Sequence, residues 1–115
     1  SLLNASSIMS HIVELTTTVE TREQAESLAK KMVEMHLAAC IQLMPIQSIY
    51  RWQGEVCESE EIRCTMKSSK QMQYKLVAAI QENHPYDVPE ILVVEVADAG
   101  PDYEAWLLEQ LANGE

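Results

Sequence analysis

From Ala38 to Lys67 the chain alternates apolar and polar residues on both sides of Gln53-Gly54-Glu55. Alternation with period two around a glycine turn is the pattern of a β-hairpin. Its arms exceed the ~5–6 residues of an ordinary strand by a wide margin. A hairpin of this length excludes an all-helical fold and demands something to cover its apolar face. Pro45 in the first arm marks a bulge or an edge position, because proline cannot donate to a ladder. In the second arm Ile62, Cys64 and Met66 share one face, and Glu61, Arg63, Thr65 and Lys67 share the other.

The flanking segments supply the cover. Residues 8–17, "IMSHIVELTT", are rich in β-branched residues, and Met9, His11, Val13 and Leu15 fall on one face of a strand. Thr21 with Gln24 forms a capping box. It opens a helix over 21–37 with Ala25, Leu28, Ala29, Met32, Val33 and His36 on one stripe. A second box, Ser68 with Gln71, starts a helix to about His84, with Met72, Leu76, Ala79 and Ile80 inward. Pro85 stops it, since the ring disfavours helical geometry at the preceding residue. "EILVVEV" reads as a strand, and Gly100-Pro101-Asp102 suits a helix start with proline early and acids in the first turn. Tyr103, Trp106, Leu107 and Leu111 line one side of that helix, and Gly114 closes it.

The order is βαββαβ plus a C-terminal helix. It predicts an α+β, ferredoxin-like domain: one antiparallel sheet with helices on one face and a long central hairpin. A single domain is expected over 8–115, preceded by a flexible N-terminal extension, 1–7. Two helices cannot cover the hairpin, so Ile49, Tyr50 and Trp52 near its tip would lie in water on an isolated subunit. An exposed apolar projection of this kind predicts a homo-oligomer.

Charge narrows the function. The 115 residues carry 18 acidic and 8 basic side chains, a formal net charge of −10. Nucleic-acid binding needs a basic face, so no nucleic-acid partner is expected. No membrane partner is expected either, because no run approaches the ~18 apolar residues of a span. The start "SLLNASSIMS" lacks the basic and apolar regions of a secretory signal, and a cytoplasmic location is the expectation. Cys40, Cys57 and Cys64 are an odd set without a CxxC, a poor zinc or disulfide pattern. Cys40 and Cys64 read as buried thiols, Cys57 as exposed. No Ser/His/Asp order, glycine-rich phosphate loop or HExxH is present, so the chain does not read as an enzyme. The acids of "ESEEI" alternate along a strand to opposite faces, whereas a hard cation wants oxygens converging on one point.

The segment "HPYDVPE", residues 84–90, is a stiff helix-to-strand connector because both prolines restrict it. His84 has two readings: a borderline ligand for copper or zinc, or a helix-end histidine that satisfies orphan carbonyls. Glu90 would be a nearby carboxylate ligand or the polar first residue of a strand. Asp87 reads as a turn residue. His11 reads as a core or interface histidine and His36 as a cap of the first helix. Tyr50, Trp52, Tyr86 and Trp106 read as packing residues that would anchor a subunit interface.

"LAACIQLMP", "SIYRWQGEV", "EEIRCTMKSS", "HPYDVPEIL" and "DYEAWL" together resemble the CutA family of divalent-cation tolerance proteins. The resemblance implies a ferredoxin-like subunit in a tight homotrimer, with each long hairpin reaching onto a neighbour. It implies tolerance of copper and other divalent ions and an architecture similar to the PII signalling proteins, and it establishes no catalytic reaction. It also places a metal-contact histidine at His84 of the HPY motif. The function expected is thus non-catalytic binding of copper(II) or another divalent cation near an inter-subunit cleft, with no metal required for folding. The alternatives are a PII-like small-ligand sensor, with Tyr86, Lys67 and Glu61 lining a pocket between subunits, and a protein-interaction scaffold. Glu61 and Lys67 match charged positions of the family motif and are expected in that pocket or in interface ion pairs. One departure weakens the copper expectation. Some members carry a cysteine at the end of the first strand, where this chain has Thr17, and a hydroxyl is a poor ligand for a soft ion.

Overall fold

A computed structural model describes residues 10–112 of the chain. The elements are β1 (Ile12–Val19), α1 (Arg22–Glu34), β2 (Cys40–Trp52), β3 (Glu55–Ser69), α2 (Gln73–Asn83), β4 (Leu92–Glu95) and α3 (Pro101–Leu111). This is the order read from the sequence. The expected extension 1–7, Met9 and the closing Gly114 lie outside the described residues.

The four strands form one antiparallel sheet in the order β2-β3-β1-β4. The hairpin register runs from Cys40 opposite Lys67 to Trp52 opposite Glu55 without a slip. Pro45 therefore makes no bulge. It is tolerated because β2 is an edge strand, where a missing N–H breaks no inner ladder. Gln53 (φ 51°) and Gly54 (φ 81°) make the two-residue turn. Positive φ at both positions is what a hairpin turn matched to strand twist requires.

Alternation divides the sheet into two faces. Leu15, Thr17 and Val19 of β1 lie opposite Met66, Cys64 and Ile62 of β3, and this face meets the helices. Leu28 and Met32 of α1, Leu76 and Ile80 of α2, and Leu107 and Leu111 of α3 complete one core. The Thr21–Gln24 capping box of α1 is present in both directions.

Several local expectations fail. No second capping box forms at Ser68 and Gln71, because pairing with β1 holds Ser68 and Ser69 in β3 and α2 begins at Gln73. The Ser68 hydroxyl instead donates to the Leu37 carbonyl at 2.6 Å, and the Ser69 hydroxyl accepts from the Met72 N–H. β1 starts at Ile12 rather than residue 8, and β4 is only four residues long. His36 does not cap α1 with its ring. It sits at φ 59° just beyond that helix, and its Nδ1 meets the Gln110 carbonyl of α3 at 2.9 Å. His11 is exposed on the subunit. Of the thiols, Cys64 is buried as expected, but Cys40 and Cys57 are both half-buried. Burial pushes the Cys64 thiol up to about 11.

The outer half of the hairpin extends past the helices, as the pattern of apolar residues required. Ile49, Trp52 and Val56 are 66%, 59% and 67% exposed.

Candidate functional site

The connector that follows α2 brings together most of the polar residues singled out in the sequence. Pro85 ends α2, and His84 takes an extended backbone (φ −77°, ψ 139°) as its C-cap. That conformation turns the imidazole back over the end of β1. The His84 Nδ1 accepts a hydrogen bond from the Tyr86 N–H at 3.0 Å, which places the ring proton on Nε2. Nε2 lies 2.9 Å from the Thr18 carbonyl, to which it donates, and 3.0 Å from the Thr17 hydroxyl. Burial lowers the His84 pKa from its usual value, against the opposing pull of the Thr18 carbonyl and Glu61. The ring is thus held neutral, with both nitrogens engaged.

The Tyr86 ring packs edge-on against His84, with centroids 4.9 Å apart, and its hydroxyl donates to Glu61 Oε2 at 2.9 Å. Burial and the hydrogen bond to Glu61 push the phenol above its ordinary value, with Glu20 and Tyr50 adding to the effect. A chain of contacts therefore runs from β1 through His84 and Tyr86 to Glu61 on β3. Beside it lies an open cleft of about 500 Å³ lined by Glu20, Pro45, Ile46, Gln47, Glu60, Glu61 and Ile62. Three carboxylates make its walls strongly acidic. A second groove of about 440 Å³ lies between α1 and the end of α2. Its Lys31 donates to Asn83 at 2.8 Å, and its Gln24 is occupied by the capping box.

The other expected site residues form no hydrogen bond or ion pair with this cluster among the described residues. Glu90 is exposed, and no hydrogen bond or ion pair joins it to His84 among the described residues. Lys67 pairs with Glu14 at 3.6 Å. It lies six residues along β3 from Glu61, about 20 Å at strand rise, so Lys67, Glu61 and Tyr86 share no pocket within one subunit. Tyr50 bonds through its hydroxyl to Ser59 across the hairpin at 2.6 Å, and Trp52 stands exposed at the tip. Trp106 is half-exposed on α3 and stacks on Tyr103 at 5.7 Å.

Among the described residues no three His, Cys, Asp or Glu side chains converge as a metal would need. The Glu20, Glu60 and Glu61 carboxylates line a cleft without meeting at a point. Sequence reasoning missed Glu20 and Glu60 as cleft residues, since nothing in their spacing connects the end of β1 to the middle of β3.

Comparison with known proteins adds the family. The family model described as CutA1 divalent ion tolerance protein matches residues 13–110. The "Divalent-cation tolerance protein CutA" of Thermus thermophilus is 42% identical over 93 residues, covering 80% of this chain and 90% of the relative. That of Pyrococcus horikoshii is 35% identical over 94 residues, covering 82% and 92%. Among solved structures, CutA from Synechococcus elongatus superposes with a TM-score of 0.89 at 37% identity, covering 91% of this chain and 95% of that one.

Proposed function

The chain belongs to the CutA1 divalent ion tolerance family, and from that premise we propose that it acts in divalent-cation tolerance as a non-catalytic homotrimer of ferredoxin-like subunits. It takes copper(II) or a comparable divalent ion as cargo near a cleft between subunits. The observation that carries this reading is the acidic cleft at the root of the hairpin, beside the His84–Tyr86–Glu61 chain. Its three carboxylates attract a cation, and their failure to converge within one subunit leaves room for a second copy to complete the ligand set.

Oligomerisation follows from the apolar tip. Ile49, Trp52 and Val56 have no cover in one subunit, and burying them stabilises an assembly at roughly 25 cal/mol per Å² of apolar surface. Of the two ligands read from the sequence, His84 is linked to this cleft through Tyr86 and Glu61, whereas Glu90 does not line it and would have to approach by movement of the connector or from a second copy. For His84 to ligate through Nε2, its proton must move to Nδ1, and the ring must give up its bonds to Thr17, Thr18 and the Tyr86 N–H. Binding at this residue is then coupled to a change of tautomer and to movement of the connector. With Thr17 in place of a thiol, affinity for a soft ion is lower than a cysteine ligand would give.

Calorimetric titration of the chelator-stripped protein with copper(II), thiols blocked, tests the reading beside His84→Ala. About one saturable ion per chain, lost in the variant, supports it. Equal weak binding in both proteins makes the connector purely structural.

A further inference from the structure

The sheet face turned away from the helices carries a cation, Arg63, that no carboxylate among the described residues pairs with. Arg63 sits in the middle of β3, opposite Met44 of β2 and Thr18 of β1. Its neighbours Ile62 and Cys64 turn to the helix layer, so the guanidinium stands on the open face, half-buried. Its hydrogen-bond partner is the Met44 thioether, Nη2 to Sδ at 3.4 Å. Among the described residues the ion pairs are Arg22–Glu26, Lys67–Glu14 and Lys70–Glu95, and Arg63 is in none of them. Glu61, two residues along the same face, is already held by the Tyr86 hydroxyl.

The surroundings make this conspicuous. The same face presents Met44, Leu92 and Val94, all exposed, together with Gln42, Thr16 and Thr65. An apolar face of this size calls for cover. Whatever covers it removes water from Arg63, and a guanidinium so desolvated is costly unless the covering surface brings an acceptor. A planar guanidinium favours a carboxylate, which it grips with two N–H groups.

We propose that Arg63 receives a hairpin carboxylate, from Glu55, Glu58 or Glu60, of a second copy of this chain. This rests on the homotrimer reading above and assigns the polar contact that orients one subunit on the next. Charge complementarity selects the occupant. Glu55, Glu58 and Glu60 are exposed on the arm and enter no ion pair among the described residues. The nearest cation along the hairpin, Arg51, donates to the Gly54 carbonyl. Reach is sufficient. From Ile62 to Glu55 the arm extends about 23 Å, while Arg63 lies one strand, about 4.8 Å, in from the β2 edge. A hairpin of one copy on the face of the next is a head-to-tail contact, which closes as a ring.

Sedimentation velocity over a dilution series tests the contact through a cycle. Glu55→Gln, Glu58→Gln and Glu60→Gln together should raise the dissociation concentration about tenfold or more in the parent, as expected for a close interfacial charge pair. In an Arg63→Met background the same three changes should shift it less than twofold, because the partner is already gone. Arg63→Glu should weaken assembly beyond Arg63→Met, and far-UV circular dichroism checks that each variant is folded. An equal effect of the glutamine changes in both backgrounds, or none in either, overturns the contact while leaving the homotrimer intact. A parent that sediments as a monomer throughout overturns both.

Discussion

The two ends of one hairpin show opposite fates for the same sequence pattern. At the base, Cys64, Met66 and Ser68 are buried under the helices. At the tip, Ile49, Trp52 and Val56 are open to solvent. Register, alternation and strand type continue unchanged between them. The base thus belongs to the core of the subunit, while the tip is held, among the described residues, by cross-strand contacts such as Tyr50 to Ser59. Alternation specifies a face; it does not say what will cover that face.

The comparison breaks most readily at the base. Met66→Ala, at a site with no solvent exposure, should cost about 2–5 kcal/mol in urea unfolding, the range for truncating a packed core residue. A loss below about 1 kcal/mol would mean that the base is not part of the core. At the tip, Trp52→Ala should leave subunit packing nearly intact yet weaken assembly by about 2 kcal/mol, as an interfacial anchor does. Sedimentation velocity at low concentration reads this, and a variant as tightly assembled as the parent would show that the tip meets no neighbour.

Ser68→Ala removes the hydroxyl that donates to the Leu37 carbonyl, leaving a buried acceptor short of a partner, at a cost of about 1–2 kcal/mol. Denaturant midpoints with unchanged slope would confirm a stability effect rather than a change in compactness.

Between base and tip, His84 gives a pH signature. Its folded pKa lies below the ordinary 6.5, so the neutral form is favoured in the folded state. The stability this contributes is complete above about 6.5 and is lost as pH falls through the depressed folded value. Unfolding measured from pH 8 to 5 should therefore fall more steeply in the parent than in His84→Gln. Parallel profiles would rule out the buried neutral imidazole.

The smallest change is expected at the turn. Gln53→Asn should stabilise the hairpin by about 0.5 kcal/mol, because asparagine adopts positive φ more readily than glutamine. Thermal unfolding reads it, and a lower midpoint would show that the glutamine side chain contributes something the turn geometry does not.

Part of the candidate site was also visible as pattern. His84, Tyr86 and Glu61 were singled out from motif and chemistry, and the structure joins them through short hydrogen bonds. Glu90 and Lys67 were singled out on the same grounds; within one subunit Lys67 pairs with Glu14, and among the described residues no bond joins Glu90 to His84. The difference lies in the closure of β1 against β3, which brings the connector over residues distant in the chain. Ser68 and Gln71 matched a capping box as well as Thr21 and Gln24 did. Only the latter pair forms it, because ladder pairing with β1 outweighs a local cap at Ser68.

Periodicity in the chain by itself determined the elements, their order and the uncovered hairpin, because short-range sterics and side-chain alternation act over a few residues. Composition by itself determined the acid excess, whose commonest meaning is solubility. Tertiary structure alone decided that His84 spends both nitrogens inside the subunit, that Glu20 and Glu60 share a cleft with Glu61, and that Arg63 faces outward with no carboxylate among the described residues to pair with. Those are contacts between residues far apart along the chain, and their distances are set by how the sheet and helices pack.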